Sequence, residues 1–120
     1  MRKSIFFIIV LYLFSTIMLY SCAPLRKPLD RRSEFSKHLK ATEDYIRKED
    51  WTNAENSLKQ AQKSWHKVKP ILQLDIDHDY VNDIENNFDL LKAYVETKEK
   101  PDALAIIYLI QNNWSNIDAM

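Results

Sequence analysis

The sequence predicts an all-α protein: an N-terminal signal or anchor helix followed by a four-helix domain of two duplicated αα-hairpins, closed as an antiparallel bundle or stacked like repeats. Three observations carry this. Displaced against itself by 49 residues, the sequence sets Phe35 on Ile84, Leu39 on Phe88, Tyr45 on Tyr94, Ile46 on Val95, Ala54 on Ala103, Leu58 on Ile107, Ala61 on Ile110, Trp65 on Trp114 and Val68 on Ile117. Apolar residues recur at helical spacing, as in Ala54, Leu58, Ala61, Trp65 and Val68, so each segment draws one stripe along a helix. The chain contains no glycine, the residue that most readily takes positive φ, which disfavours tight β-hairpins and phosphate-cradling loops.

The first segment, residues 1–21, reads as a lipoprotein signal peptide or membrane anchor. Arg2 and Lys3 precede an apolar run from Ile5 to Tyr20 that is interrupted only by Ser15 and Thr16. Its length lies between a signal core and a full span of roughly 20 residues. Leu19 and Ser21 then set up a cleavage point before Cys22, the one cysteine of the chain. An aliphatic and a small residue before a cysteine mark a bacterial lipoprotein, whose thiol takes a diacylglycerol and becomes the new N-terminus. Tyr20 is bulky for that pattern, and Arg26, Lys27, Arg31 and Arg32 follow the apolar run where basic residues ordinarily stay cytoplasmic. An uncleaved single span with the domain outside is the first alternative, and an inverted topology, which the basic cluster favours, is the second. All but the last place the domain at the extracytoplasmic face of the cell membrane.

Residues 22–30 read as a juxtamembrane linker, stiffened by Pro24 and Pro28, whose basic side chains can be drawn to anionic headgroups. The domain itself, residues 31–120, is expected to form helices near 31–48, 52–69, 78–98 and 101–117. Lys48-Glu49-Asp50 and Lys98-Glu99-Lys100-Pro101 supply short polar turns, with Pro101 at a first helical position. Pro70 is expected to stop the second helix. Asp50-Trp51-x-x-Ala54-x-x-x-Leu58 resembles tetratricopeptide repeats, although a period of 49 exceeds their usual 34 or so. With Cys22 lipidated no disulfide can form, so the domain must rely on its apolar core, on partners, or on both.

Removing residues 1–21 takes two of the seventeen basic residues and none of the seventeen acidic ones, leaving fifteen against seventeen. A net charge so near zero does not suggest nucleic acid. Asp75, Asp77, His78 and Asp79 form the one cluster with the chemistry of a divalent-cation site. Capping of the third helix by Asp77, with Asp79 favouring its positive end, accounts for the same residues without metal. No nucleophile stands beside a base at a telling spacing, so no catalytic residue, enzyme activity or cofactor is expected. Trp51, at a helix start beside polar residues, is a candidate anchor for a partner. Ala103 to Ile110 is apolar nearly all round, and the repeat places Leu104 and Tyr108 outward, with Ala105 or Leu109 beside them.

Glu49-Asp50-Trp51-x-x-Ala54, Trp65 with Lys67, Ile76-Asp77-His78-x-x-x-x-x-Ile84-Glu85 and the Ala103-Leu104 helix resemble a family of small bacterial proteins, mostly from spore-forming Firmicutes, known as domain of unknown function four-three-six-three. The resemblance covers nearly the whole chain and implies a membrane segment followed by about 100 residues; it implies no activity. The expectation is a non-enzymatic, membrane-anchored extracytoplasmic lipoprotein whose helical domain binds an envelope or membrane protein or a second copy of itself. The alternative is an envelope metal- or small-ligand-binding protein that uses Asp75–Asp79.

Overall fold

The computed structural model describes residues 1–19, 26–74 and 78–117. The described residues contain six helices and no strand: α1 (Arg2–Leu19), α2 (Arg26–Ser33), α3 (Phe35–Arg47), α4 (Trp51–Leu72), α5 (His78–Glu96) and α6 (Lys100–Asn116). Helices α3 and α4 pack as one antiparallel hairpin and α5 and α6 as another. The hairpins join side by side, α4 against α5 and α3 against α6, and close a four-helix ring. The side chains of the expected stripes fill it. Phe35, Leu39, Ile46, Ala54, Leu58, Ala61, Trp65 and Val68 are all buried, as are their counterparts 49 residues on. Burying a large apolar side chain contributes about 1.5–3 kcal/mol.

The aromatic residues meet at one level of the core. The Phe35 ring lies 4.8 Å from Trp114 in an edge-on arrangement, 5.8 Å from Trp65 and 6.0 Å from Phe88. Each indole N–H finds an acceptor on the neighbouring hairpin, Trp65 Nε1 donating to Glu85 Oε1 at 3.3 Å and Trp114 Nε1 to Ser36 Oγ at 3.0 Å. Positions 36 and 85 are themselves 49 residues apart.

The two turns are also alike. Asp50 N–H donates to Tyr45 O at 3.0 Å and Glu49 N–H to Ile46 O at 3.0 Å, and Glu99 N–H donates to Tyr94 O at 2.9 Å and Lys98 N–H to Val95 O at 3.2 Å. This is the Schellman arrangement, which requires a left-handed residue and usually recruits glycine. A glycine-free chain places Glu49 and Lys98 there, at φ 57° and 59°. Asp50 then caps α4, its Oδ1 accepting the Asn53 N–H at 3.2 Å.

Two expectations are corrected. The helical part of the domain begins at Arg26, within the stretch read as a linker, and α2 is separated from α3 by Glu34 at φ 57°. Pro28 is the third residue of α2, where a backbone N–H has no intrahelical acceptor, so proline costs nothing there. Burial of Leu29 and a 2.6 Å hydrogen bond from Ser64 Oγ to Ser33 O dock α2 onto α4, while Asp30 Oδ1 accepts the Ser36 N–H at 2.7 Å. The second correction is at Pro70, which lies inside α4 and does not end it. Leu72 is fully buried, and that anchorage holds the last turn despite the hydrogen bond proline cannot make.

Candidate functional site

Helix α1 differs from all the others. Ile5, Phe6, Phe7, Ile8, Ile9, Val10, Leu11, Tyr12, Leu13 and Phe14 are all exposed, from 47% at Val10 to 74% at Phe7, so from Ile5 to Phe14 apolar surface faces every side of the helix and the bundle does not cover it. Among the described residues no helix is long and apolar enough to cross a membrane. Leu19 is the last residue of α1; Ser21 and Cys22 lie outside the described residues.

The α3–α6 seam carries a polar cluster around Glu43. That side chain is 6% exposed and takes hydrogen bonds from Arg47 Nε at 2.9 Å, Gln111 Nε2 at 3.0 Å and the Tyr108 hydroxyl at 3.4 Å, with Lys40 Nζ at 3.4 Å. Arg47 also donates to the Tyr108 oxygen and lies 5.7 Å from the centre of its ring. Burial alone would push the Glu43 carboxyl up, yet the hydrogen bonds from Gln111 and Arg47 and the nearby Lys40 charge outweigh it and hold the group below the usual carboxylate range.

The α4–α5 seam, built from equivalent positions, is instead open. A cleft of about 220 Å³ is lined there by Gln62, Trp65, His66, Glu85, Phe88 and Asp89. Position 59, 49 residues before Tyr108, is an exposed lysine, and it pairs outward with Glu55 at 3.0 Å. Lys69 donates to Glu85, and this bond more than any other cause holds the Glu85 carboxyl below its ordinary range; burial opposes it and the Trp65 N–H assists. Among the described residues every buried side-chain nitrogen or oxygen has a hydrogen-bond partner.

The remaining sequence-derived candidates are placed as follows. Asp75 and Asp77 lie outside the described residues, whereas His78 and Asp79 are exposed in the first turn of α5. Among the described residues no group of three His, Cys, Asp or Glu side chains is arranged to hold a metal ion. Trp51 opens α4 half-buried against the core. Leu104, placed outward by the repeat, is half-buried and packs on the core, while Tyr108 is 47% exposed and tied at its hydroxyl to α3. Leu109, one residue further, is 48% exposed with no such tie. Glu43 was not singled out by the sequence, although it falls on the stripe of α3, four residues after Leu39 and three before Ile46.

Residues 29–120 match the family model described as a domain of unknown function, DUF4363. The chain belongs to that family. No curated protein and no solved structure matches it. The DUF4363 region starts at the buried Leu29 within α2, so it takes in most of α2 and the whole bundle and leaves α1 outside.

Proposed function

We propose that this DUF4363 protein is a bacterial lipoprotein, held at the extracytoplasmic face of the cell membrane by lipid on Cys22, whose bundle of two duplicated hairpins binds another envelope protein or a second copy of itself. The observation that supports this most is α1, an apolar helix whose described side chains from Ile5 to Phe14 are left bare by the rest of the chain. So much unpaired apolar surface is costly in water and at home in a bilayer, at about 25 cal/mol per Å². Its 18 residues correspond to about 27 Å at 1.5 Å per residue, short for a span and ample for a signal peptide cleaved before Cys22.

The bundle's part in this is recognition without chemistry of its own. Two carboxylates of the seams are engaged within the bundle, Glu43 with Arg47, Gln111 and Tyr108, and Glu85 with Trp65 and Lys69. From Ala103 to Ile117 there is no charged residue, and Ala105, Tyr108 and Leu109 present that uncharged surface to solvent. This face suits a protein partner.

Mass spectrometry of the mature N-terminus tests the anchor. A diacylglyceryl Cys22 is expected, and Cys22→Ala should release or misprocess the protein. An intact Met1 in the membrane fraction would replace the lipoprotein with a single-pass protein. Uptake of calcium, zinc or manganese at micromolar concentration in equilibrium dialysis would move the reading to a cation-binding protein using Asp75, Asp77, His78 and Asp79.

A further inference from the structure

The two turns, at Glu49 and Lys98, lie at one end of the bundle, because α3 runs antiparallel to both α4 and α6: Glu43 meets Gln111 while Ser36 meets Trp114. The opposite end gathers α2, the last turn of α4, the first turn of α5 and the end of α6. Among the described residues it carries the most exposed apolar side chain of the bundle, Leu74 at 87%, with Ile71 one turn earlier at 41%. Beside them α2 is docked through Leu29 and the Ser33–Ser64 hydrogen bond, with Arg31 and Arg32 exposed. Pro70 and Gln73 are exposed too, so one side of the last turn of α4 faces solvent while Leu72 holds the other to the core.

Cys22 precedes Arg26, the first residue of α2, by four residues, a reach of at most about 14 Å. Resting on the lipoprotein reading above, we propose that this end of the bundle is a second membrane contact: Leu74 and Ile71 enter the interface of an anionic bilayer while Arg31 and Arg32 meet lipid phosphates. The tether decides the occupant. A lipid on Cys22 holds this end within one short peptide of the bilayer and points the turns of Glu49 and Lys98 away from it. Basic side chains are attracted to an anionic surface, and exposed leucine and isoleucine gain by leaving water. Asp30 accepts the Ser36 N–H and, with Glu34 and Lys37, lines the same surface as Arg31. His78 and Asp79, exposed at the start of α5, border this end; Asp30, Glu34 and Asp79, with Asp75 and Asp77 next to Leu74 in the sequence, work against the basic pair, so the apolar contact of Leu74 and Ile71 must carry the docking. The bundle would then stand upright, with the α6 face around Leu109 turned sideways to partners in the same membrane.

The test uses the full lipidated chain in phosphatidylcholine vesicles with and without phosphatidylglycerol. Lipid blocks Cys22, so Leu74→Cys and Lys48→Cys each take a single environment-sensitive fluorophore at opposite ends of the bundle. The label at position 74 should shift to the blue and lose emission to lipids carrying a quencher near the headgroup, and the label at position 48 should do neither. Arg31→Glu with Arg32→Glu should abolish the extra effect of phosphatidylglycerol. Equal, unshifted emission from both labels overturns the docking, as does a position-74 signal unaffected by the quenching lipids. N-terminal mass spectrometry on the same samples reads the lipid on Cys22 separately, so loss of the anchor reading is distinguished from loss of the docked end.

Discussion

Glu49 and Lys98, 49 residues apart, hold the same left-handed backbone at φ 57° and 59° and close the two hairpins with the same pair of reversed hydrogen bonds. A side chain with a Cβ costs about 1–2 kcal/mol in that conformation, which glycine avoids. Part of the gain from glycine is offset because it also loosens the unfolded chain. Glu49→Gly and Lys98→Gly should therefore each raise stability by about 0.5–1 kcal/mol. A higher urea midpoint at unchanged slope checks this, and Glu49→Val should move the midpoint the other way.

Acid should unfold the bundle through its two seam carboxylates. Glu43 and Glu85 both sit below the ordinary carboxylate range when folded, so between the folded and unfolded values the unfolded chain binds more protons. Their contribution is complete above the unfolded value of about 4.3 and is lost as pH falls through the lower folded values. Melting temperature followed from pH 6 or so downward should decline below about 4.3. Glu43→Gln with Glu85→Gln should flatten that decline while lowering stability at neutral pH.

The stripes, the turns and the last two helices were legible because each is written locally: apolar residues at helical spacing, polar triplets between them, Pro101 at a helix start. What was missed depended on distant residues. Pro28 and Pro70 look like breakers until Leu29 and Leu72 are seen buried beside them, one at a helix start and one under a last turn. Tyr108 does face outward as the stripe indicates, but periodicity records direction and not neighbours, and its partner Arg47 is 61 residues away. Glu43 was readable in principle, since a carboxylate on an apolar stripe must find donors, but which donors only the α3–α6 packing decides.

Trp65 separates packing from hydrogen bonding. Its side chain is 1% exposed and touches the Phe35 ring, so Trp65→Ala should cost about 3–5 kcal/mol, a large share of the stability of so small a domain. Trp65→Phe keeps most of the apolar volume and removes only the donor to Glu85, which retains Lys69. That variant should lose about 1–2 kcal/mol. Equal losses in the two variants, measured by urea unfolding, would mean that the ring does not anchor the core.

The α6 face offers the sharpest contrast between a structural and a recognition residue. Leu104 packs on the core and Tyr108 is held to Glu43 and Arg47, so Leu104→Glu with Tyr108→Ser should lower stability by roughly 2–3 kcal/mol through lost burial and a broken seam. Leu109 has neither tie and is 48% exposed. Leu109→Ser should change stability by no more than about 0.5 kcal/mol, as surface substitutions do. If this face meets a partner, the same change removes apolar area from the contact at about 25 cal/mol per Å². Thermal melts of both variants read the first effect, and sedimentation of the membrane-extracted protein, followed by crosslinking in intact membranes, reads the second. Leu109→Ser with an unchanged melt and lost crosslinks places the interface on α6. An unchanged melt with unchanged crosslinks removes Leu109 from it and leaves the exposed Leu90 on α5 as the next apolar position to replace.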